Sequence, residues 1–239
     1  MTGGKSDNGF KITPLGVIPE IIDDAGAGTR SLLASPRDIA LDGSGNLFVT
    51  GGDSNNVLKR TPAGVISEII DASGDGAGNR LDFPWDVAVD GAGNVYVDGF
   101  FTHNAFKVTP GEVITEIIDE TGDGAGHQLF FPRGISAAGD DHALVAGEHS
   151  DNAFKITPSG VIAEIIDSLG DGVGNVLETP LAIVSDGAGN VFVAGWDSNN
   201  VLKISSVGEI SEIIDRTNGL WGPHDLAVDG SGNVYVSGS

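Results

Sequence analysis

The sequence predicts an all-β fold: a five-bladed β-propeller of four-stranded antiparallel blades. Its ring would be closed by N- and C-terminal half blades, with residues 1–239 as a single domain. Three observations predict it. A phrase close to Lys-Ile-Thr-Pro begins at Lys11, Lys59, Lys107, Lys155 and Lys203, at one constant interval along the chain. A second phrase, Asp-Gly-x-Gly-Asn followed by three apolar residues, begins at Asp42, Asp90, Asp186 and Asp229, with a worn copy at Ala138. Short runs of β-branched and aromatic residues separate these phrases, and none shows helical periodicity. Self-similarity at a fixed period of this size marks a repeat architecture.

Each element of one repeat follows in order. In the copy from Pro84 to Ile118, Val87 to Val89 is a first strand, and Asp90 to Asn94 is a turn whose glycines are free to take positive φ. Val95 to Val97 is a second strand, Gly99 to Asn104 a loop, Ala105 to Val108 a third strand, and Val113 to Ile118 a fourth after the Pro110-Gly111 turn. The inner strands are nearly all apolar because both faces of a blade pack on neighbours. The chain begins with a third and fourth strand, Phe10 to Thr13 and Val17 to Ile22, and ends with a first and second, Leu226 to Val228 and Val234 to Val236. Joined, these halves complete a fifth blade, which predicts a monomer.

Pro84-Trp-Asp-Val-Ala-Val-Asp-Gly-Ala-Gly-Asn-Val-Tyr-Val97 resembles the NHL repeat, and Pro36 to Val49, Pro180 to Val193 and Pro223 to Val236 resemble it too. Pro132 to Val145 keeps the proline but loses the turn. The resemblance covers the whole chain and implies a propeller. It leaves function open, because propellers of this kind include protein-binding modules, sensor heads and lyases.

Composition excludes some partners. There are 34 acidic residues against 12 basic ones and a net charge of −22, so the surface repels nucleic-acid phosphates and acidic membranes. There is no cysteine, hence no disulfide or thiol metal site. No apolar run is long enough to span a bilayer. Met1 to Lys5 lacks the apolar stretch of a signal peptide, so a soluble protein of unassigned compartment is expected.

Residues that recur in every copy read as structural. Lys11, Lys59, Lys107, Lys155 and Lys203 on third strands are expected to lie across from Glu20, Glu68, Glu116, Glu164 and Glu212 on fourth strands. The turn aspartates are expected to bond their own backbone. Residues that differ between copies are the candidates for a site. Those after each proline, and those joining second to third strands, share the face around the channel mouth. Arg37, Trp85, Arg133 and His224 come from the first group, and Phe100, Phe101, His149 and Trp196 from the second. Convergent polar groups beside exposed aromatics are what a ligand pocket needs, for a protein, a small molecule or a carbohydrate. The competing reading is ordinary loop variation. A lyase or hydrolase with a metal-assisted channel site is the alternative function, with His224, His149 or His103 as base, and a propeller without selected activity is a third.

The loops between blades raise calcium as a cofactor. Asp71, Ser73 and Asp75, followed by Gly76, have the spacing of an Asp-x-Asp-x-Asp-Gly cation loop. Asp119 and Asp123 repeat it, as do Asp167 and Asp171 without the third-position oxygen. The other reading, preferred because few carboxylates converge per loop, is a turn whose aspartate caps local amides.

Overall fold

The computed structural model describes residues 7–27, 31–139 and 141–239. The start of the chain, and Asp140 of the worn turn, fall outside them. β1 (Gly9–Phe10) and β2 (Glu20–Ile22) form a two-stranded sheet. Blade one contains β3 (Pro36–Leu41), β4 (Leu47–Gly51), β5 (Asn56–Arg60) and β6 (Ile66–Ile70). Blade two contains β7 (Val87–Val89), β8 (Val95–Gly99), β9 (Asn104–Val108) and β10 (Ile114–Ile118). Blade three runs through β11 (Pro132–Ala138), β12 (His142–Gly147), β13 (Asn152–Ile156) and β14 (Ile162–Ile166). Blade four runs through β15 (Pro180–Ser185), β16 (Val191–Gly195), β17 (Asn200–Ile204) and β18 (Ile210–Ile214). A short 3₁₀ turn, Arg216–Asn218, leads to β19 (Asp225–Val228) and β20 (Val234–Ser237), a second two-stranded sheet. Every pairing is antiparallel between consecutive strands. The chain is a five-bladed propeller in strand content: four whole blades and two halves.

The closure differs from the expectation. β1 pairs with β2, β19 pairs with β20, and no ladder joins the halves among the described residues. β1 and β2 are also shorter than the runs that predict them, since no neighbouring strand extends their ladder.

The core lies between blades. Phe48, Val57 and Ile70 of blade one meet Val87, Val95, Val97 and Phe106 of blade two in one buried cluster. Corresponding clusters follow around the arc. Second strands are buried along their whole length in blades one, two and four, as sheets covered on both faces must be. Each loop between blades drops one leucine into this core: Leu33, Leu81, Leu129 and Leu177 are all at most 1% exposed.

The turn aspartates act as expected. Asp90 Oδ1 accepts from the Ala92 and Asn94 amides at 2.9 and 2.8 Å, and Asn94 Nδ2 donates to its Oδ2 at 2.6 Å. Gly93 supplies the left-handed corner at φ 83°. The recurring Lys and Glu do not pair. Lys107 stands opposite Thr115 and Glu116 opposite Phe106, so side-chain alternation puts the two charges on different faces. Glu116 instead accepts from Asn104 at 2.8 Å, and that asparagine also donates to the Arg80 carbonyl, tying the incoming loop to the blade. The same Asn–Glu bond recurs in each repeat. Lys107 lies over the Tyr96 ring at 5.5 Å, and Lys59 and Lys203 lie likewise over Phe48 and Phe192.

Candidate functional site

The site grows out of a backbone device that precedes each first strand. Ser35, Phe83, Phe131 and Thr179 stand just before the prolines and take φ between 50° and 54°, the left-handed region that non-glycine residues rarely occupy. A side chain from the previous blade holds each one by its amide. Asn55 Oδ1 accepts from Phe83 N at 2.8 Å, His103 Nδ1 from Phe131 N at 3.0 Å, and Asp151 Oδ1 from Thr179 N at 2.7 Å. Asp7 does the same for Ser35. The carbonyls of Phe83 and Phe131 then accept from Phe100 N and Glu148 N. The clasp thus draws the residues around each proline against the loop between second and third strands, which is how the variable residues meet.

On blades one to three they form one aromatic and cationic surface. The Arg37 guanidinium lies 4.7 Å from the Phe83 ring centre and 4.6 Å from that of Trp85. The Arg133 guanidinium lies 4.1 Å from Trp85 and pairs with Glu148 at 3.2 Å. Phe100 connects Trp85, at 5.6 Å, to Phe101 and Phe131, each at 5.1 Å. His103 and His149 flank Phe131 edge-on at 4.4 and 4.5 Å. Six of the eight residues chosen from sequence therefore belong to one connected group: Arg37, Trp85, Arg133, Phe100, Phe101 and His149. Trp196 and His224 form a separate pair, 6.3 Å apart, on blade four and the C-terminal half. Phe83 and Phe131 join the group without having been chosen, and so does His103, which the sequence offered only as a base. Their signal was available: they occupy clasp positions that hold Ser, Thr, Asn or Asp in other repeats.

Beneath this surface lie three carboxyls that sequence reasoning did not select. Asp38 Oδ2 accepts from Val87 N of the next blade at 3.2 Å, and Asp86 Oδ2 from Ile135 N of the blade after at 2.8 Å. Asp98 Oδ1 accepts from Trp85 N at 2.7 Å and Asp86 N at 3.0 Å. Asp98 is fully buried, and its Oδ2 has no hydrogen-bond partner among the described residues. Burial pushes the Asp98 carboxyl up to about 7, against the pull of its two amides. Burial, then the hydrogen bond and charge of Asp38, also hold Asp86 well above the usual carboxylate range. Protein walls in the Asp86 carboxyl although the residue as a whole keeps some exposed surface. The repeat numbering puts Gly134 and Ala182 where Asp38 and Asp86 stand. A side-chain carbon at Gly134 would come within 3.1 Å of the Leu181 carbonyl, a tighter approach than most side chains make, so the inner strands of blades three and four lie close together there.

No group of three or more His, Asp or Glu among the described residues is arranged to hold a metal ion. In the loops between blades, Asp71 Oδ1 accepts from the Ser73 amide at 2.8 Å and the Ser73 hydroxyl at 2.5 Å. Asp75 takes the Ala77 amide and the Asn79 side chain, both at 2.8 Å. Asp119 and Asp123, and Asp167 and Asp171, make the same local turns. No described helix is long and apolar enough to cross a membrane.

No protein-family model and no curated protein matches the chain. Solved structures do match its fold. Virginiamycin B lyase from Staphylococcus aureus, solved as an inactive variant with quinupristin, superposes with a TM-score of 0.74 at 19% identity, over 97% of this chain and 70% of the lyase. A gluconolactonase from Xanthomonas campestris gives 0.63 at 14%, over 94% and 73%. A chain of the nidogen/laminin complex gives 0.69 at 13%, over 96% and 80%. All three are β-propellers of differing role, so the likeness fixes the scaffold and not the activity.

Proposed function

We propose that the chain is a binding module whose ligand face is the surface of blades one to three around Trp85. The observation that carries this reading is the pair of guanidiniums against one half-buried indole, Trp85, within a chain of net charge −22. Arg133 has Glu148 as its partner, whereas Arg37 is exposed and has no ion-pair partner among the described residues. Cations gathered on aromatic rings favour a planar ligand that carries an anionic group, such as an aromatic carboxylate or an acidic side chain of a partner protein. The lyase or hydrolase alternative draws on the raised Asp86 and Asp98, but their oxygens serve backbone amides or are sealed from solvent. Trp196 and His224 stand as a second, smaller contact area.

Naphthalene-2-carboxylate tests the reading. The chain has three tryptophans, and their indole N–H resonances are assignable by substitution. Titration should move the Trp85 resonance and leave that of Trp221 in place. Equal shifts at all three, or none, would remove the proposal.

A further inference from the structure

One repeat position carries an arginine in two blades, and the neighbour of that arginine differs between them. Arg37 of blade one and Arg133 of blade three both reach the Trp85 ring of blade two, at 4.6 and 4.1 Å. The loop position beside each arginine is Gly52 in blade one and Glu148 in blade three, with Phe100 and Trp196 at that place in the other two whole blades. A side-chain carbon added at Gly52 would stand 3.1 Å from Arg37 Nε, so this arginine lies on bare backbone. The next acid of that loop, Asp53, is taken by the Ser35 hydroxyl. Arg133 instead meets the Glu148 carboxylate at 3.2 Å. Glu148 is held in its place. Its amide donates to the Phe131 carbonyl at 3.0 Å, its other oxygen lies 3.8 Å from His149 Nε2, and its side chain is only 13% exposed. A carboxylate so covered stays with its guanidinium, because separating a shielded pair leaves an uncompensated charge.

We propose that Glu148 sets the charge of the ligand, so that the face around Trp85 takes a planar anion with one negative charge and turns away a dianion of the same shape. This selection rests on the reading of that surface as the ligand face. Two guanidiniums supply two positive charges, Glu148 neutralises one, and Arg37 keeps the other for the ligand. Arg133 remains the flat group that packs on the indole. A second anionic group on the ligand, in reaching for Arg133, would meet Glu148 as a like charge in a partly covered place, where solvent screens repulsion poorly. The carboxyls beneath do not restore the balance. Asp38, Asp86 and Asp98 turn oxygens to backbone amides, and burial holds the last two toward the neutral acid.

Calorimetric titration with two probes built on one ring, naphthalene-2-carboxylate and naphthalene-2,6-dicarboxylate, reads the outcome at one pH and ionic strength. The parent should bind the monocarboxylate more tightly. The net charge of −22 disfavours a dianion in every variant, so the change on substitution is what reports on Glu148. Glu148→Gln keeps the shape and an oxygen for Arg133 while removing the charge. It should strengthen dicarboxylate binding by about tenfold and monocarboxylate binding by no more than about threefold. Glu148→Gly, which copies Gly52, should change the preference in the same direction, and it covers the case where the glutamine variant fails to fold. An unchanged preference in these variants overturns the proposal, while monocarboxylate binding to the parent would leave the ligand face in place. No saturable binding of the monocarboxylate to the parent removes the ligand face and the charge selection with it. Loss of the fold in both variants would make Glu148 a structural residue and also overturn the proposal.

Discussion

Asp98 and His103 are the residues whose ionisation the fold constrains most directly. Asp98 stands above its ordinary value of 3.8, at about 7. The unfolded chain therefore holds fewer protons than the folded one between these limits, so the stability tied to the neutral acid is present below about pH 4 and lost as pH rises through about 7. Asp98→Asn keeps an oxygen for the Trp85 and Asp86 amides and cannot ionise. Thermal melts should show the variant more stable than the parent at pH 8 and close to it at pH 5, where each kcal/mol corresponds to roughly 2–4 °C in a chain of this size. An unchanged pH dependence would show that Asp98 is ionised throughout. The turn aspartates act in the opposite sense and a separate window. Asp229, held down to about 2 by the side chain and amide of Asn233, contributes stability above pH 3.8 that is lost as pH falls toward 2. His103 must accept through Nδ1 from the Phe131 amide, which only the neutral ring can do. Burial lowers its proton affinity, so its contribution is full above pH 6.5 and is lost as pH falls through the depressed value. His103→Asn copies Asn55 at the same place in the repeat. It should keep the melting temperature while flattening its dependence below pH 6.5, whereas His103→Ala should cost about 1–3 kcal/mol by leaving that amide unpaired.

At the scale of elements, the whole-blade strands were readable because both of their signals are local. Val87–Val89 is a three-residue apolar run, and the turn after it is written in Asp90, Gly93 and Asn94. The Lys–Glu pairing was misread because the turn between Thr109 and Val113 sets the register: it puts Lys107 opposite Thr115 and Glu116 opposite Phe106, and one residue of slip reverses the face. The loops between blades were legible only in part. Their Asp and Gly residues drew notice, while the ordering residue is a single leucine with no motif around it. Leu81→Ala should cost about 2–5 kcal/mol in denaturant unfolding, as deletion from a closed core does. Asp75→Ala should cost less than that, since it removes only a local turn cap at the surface. Calcium titration of metal-stripped protein separates the two accounts of these loops. We expect no heat and no change in melting temperature at millimolar calcium; a clear rise in both would place a cation on Asp71, Ser73 and Asp75.

At the scale of the molecule, the constant spacing from Lys11 to Lys203 was enough to give the propeller and its blade count. It was not enough to give closure, because the angle between successive blades depends on packing across every interface and no single residue encodes it. The site was legible in outline for the same reason the fold was. Equivalent positions of a repeat lie on one face, so Arg37, Trp85 and Arg133 could be placed together from their repeat positions alone. The carboxyls beneath them were not legible, since Asp38 and Asp86 gain meaning only from the amides of the next blade. The central claim is that this face binds planar anions through its two arginines. Calorimetric titration of naphthalene-2-carboxylate into the parent and into the Arg37→Gln, Arg133→Gln double variant tests it most directly. The account predicts saturable binding to the parent and a loss of at least tenfold in the variant, about 1.4 kcal/mol, with an unchanged melting temperature. Equal affinity in the two proteins, or no binding to the parent, would contradict it.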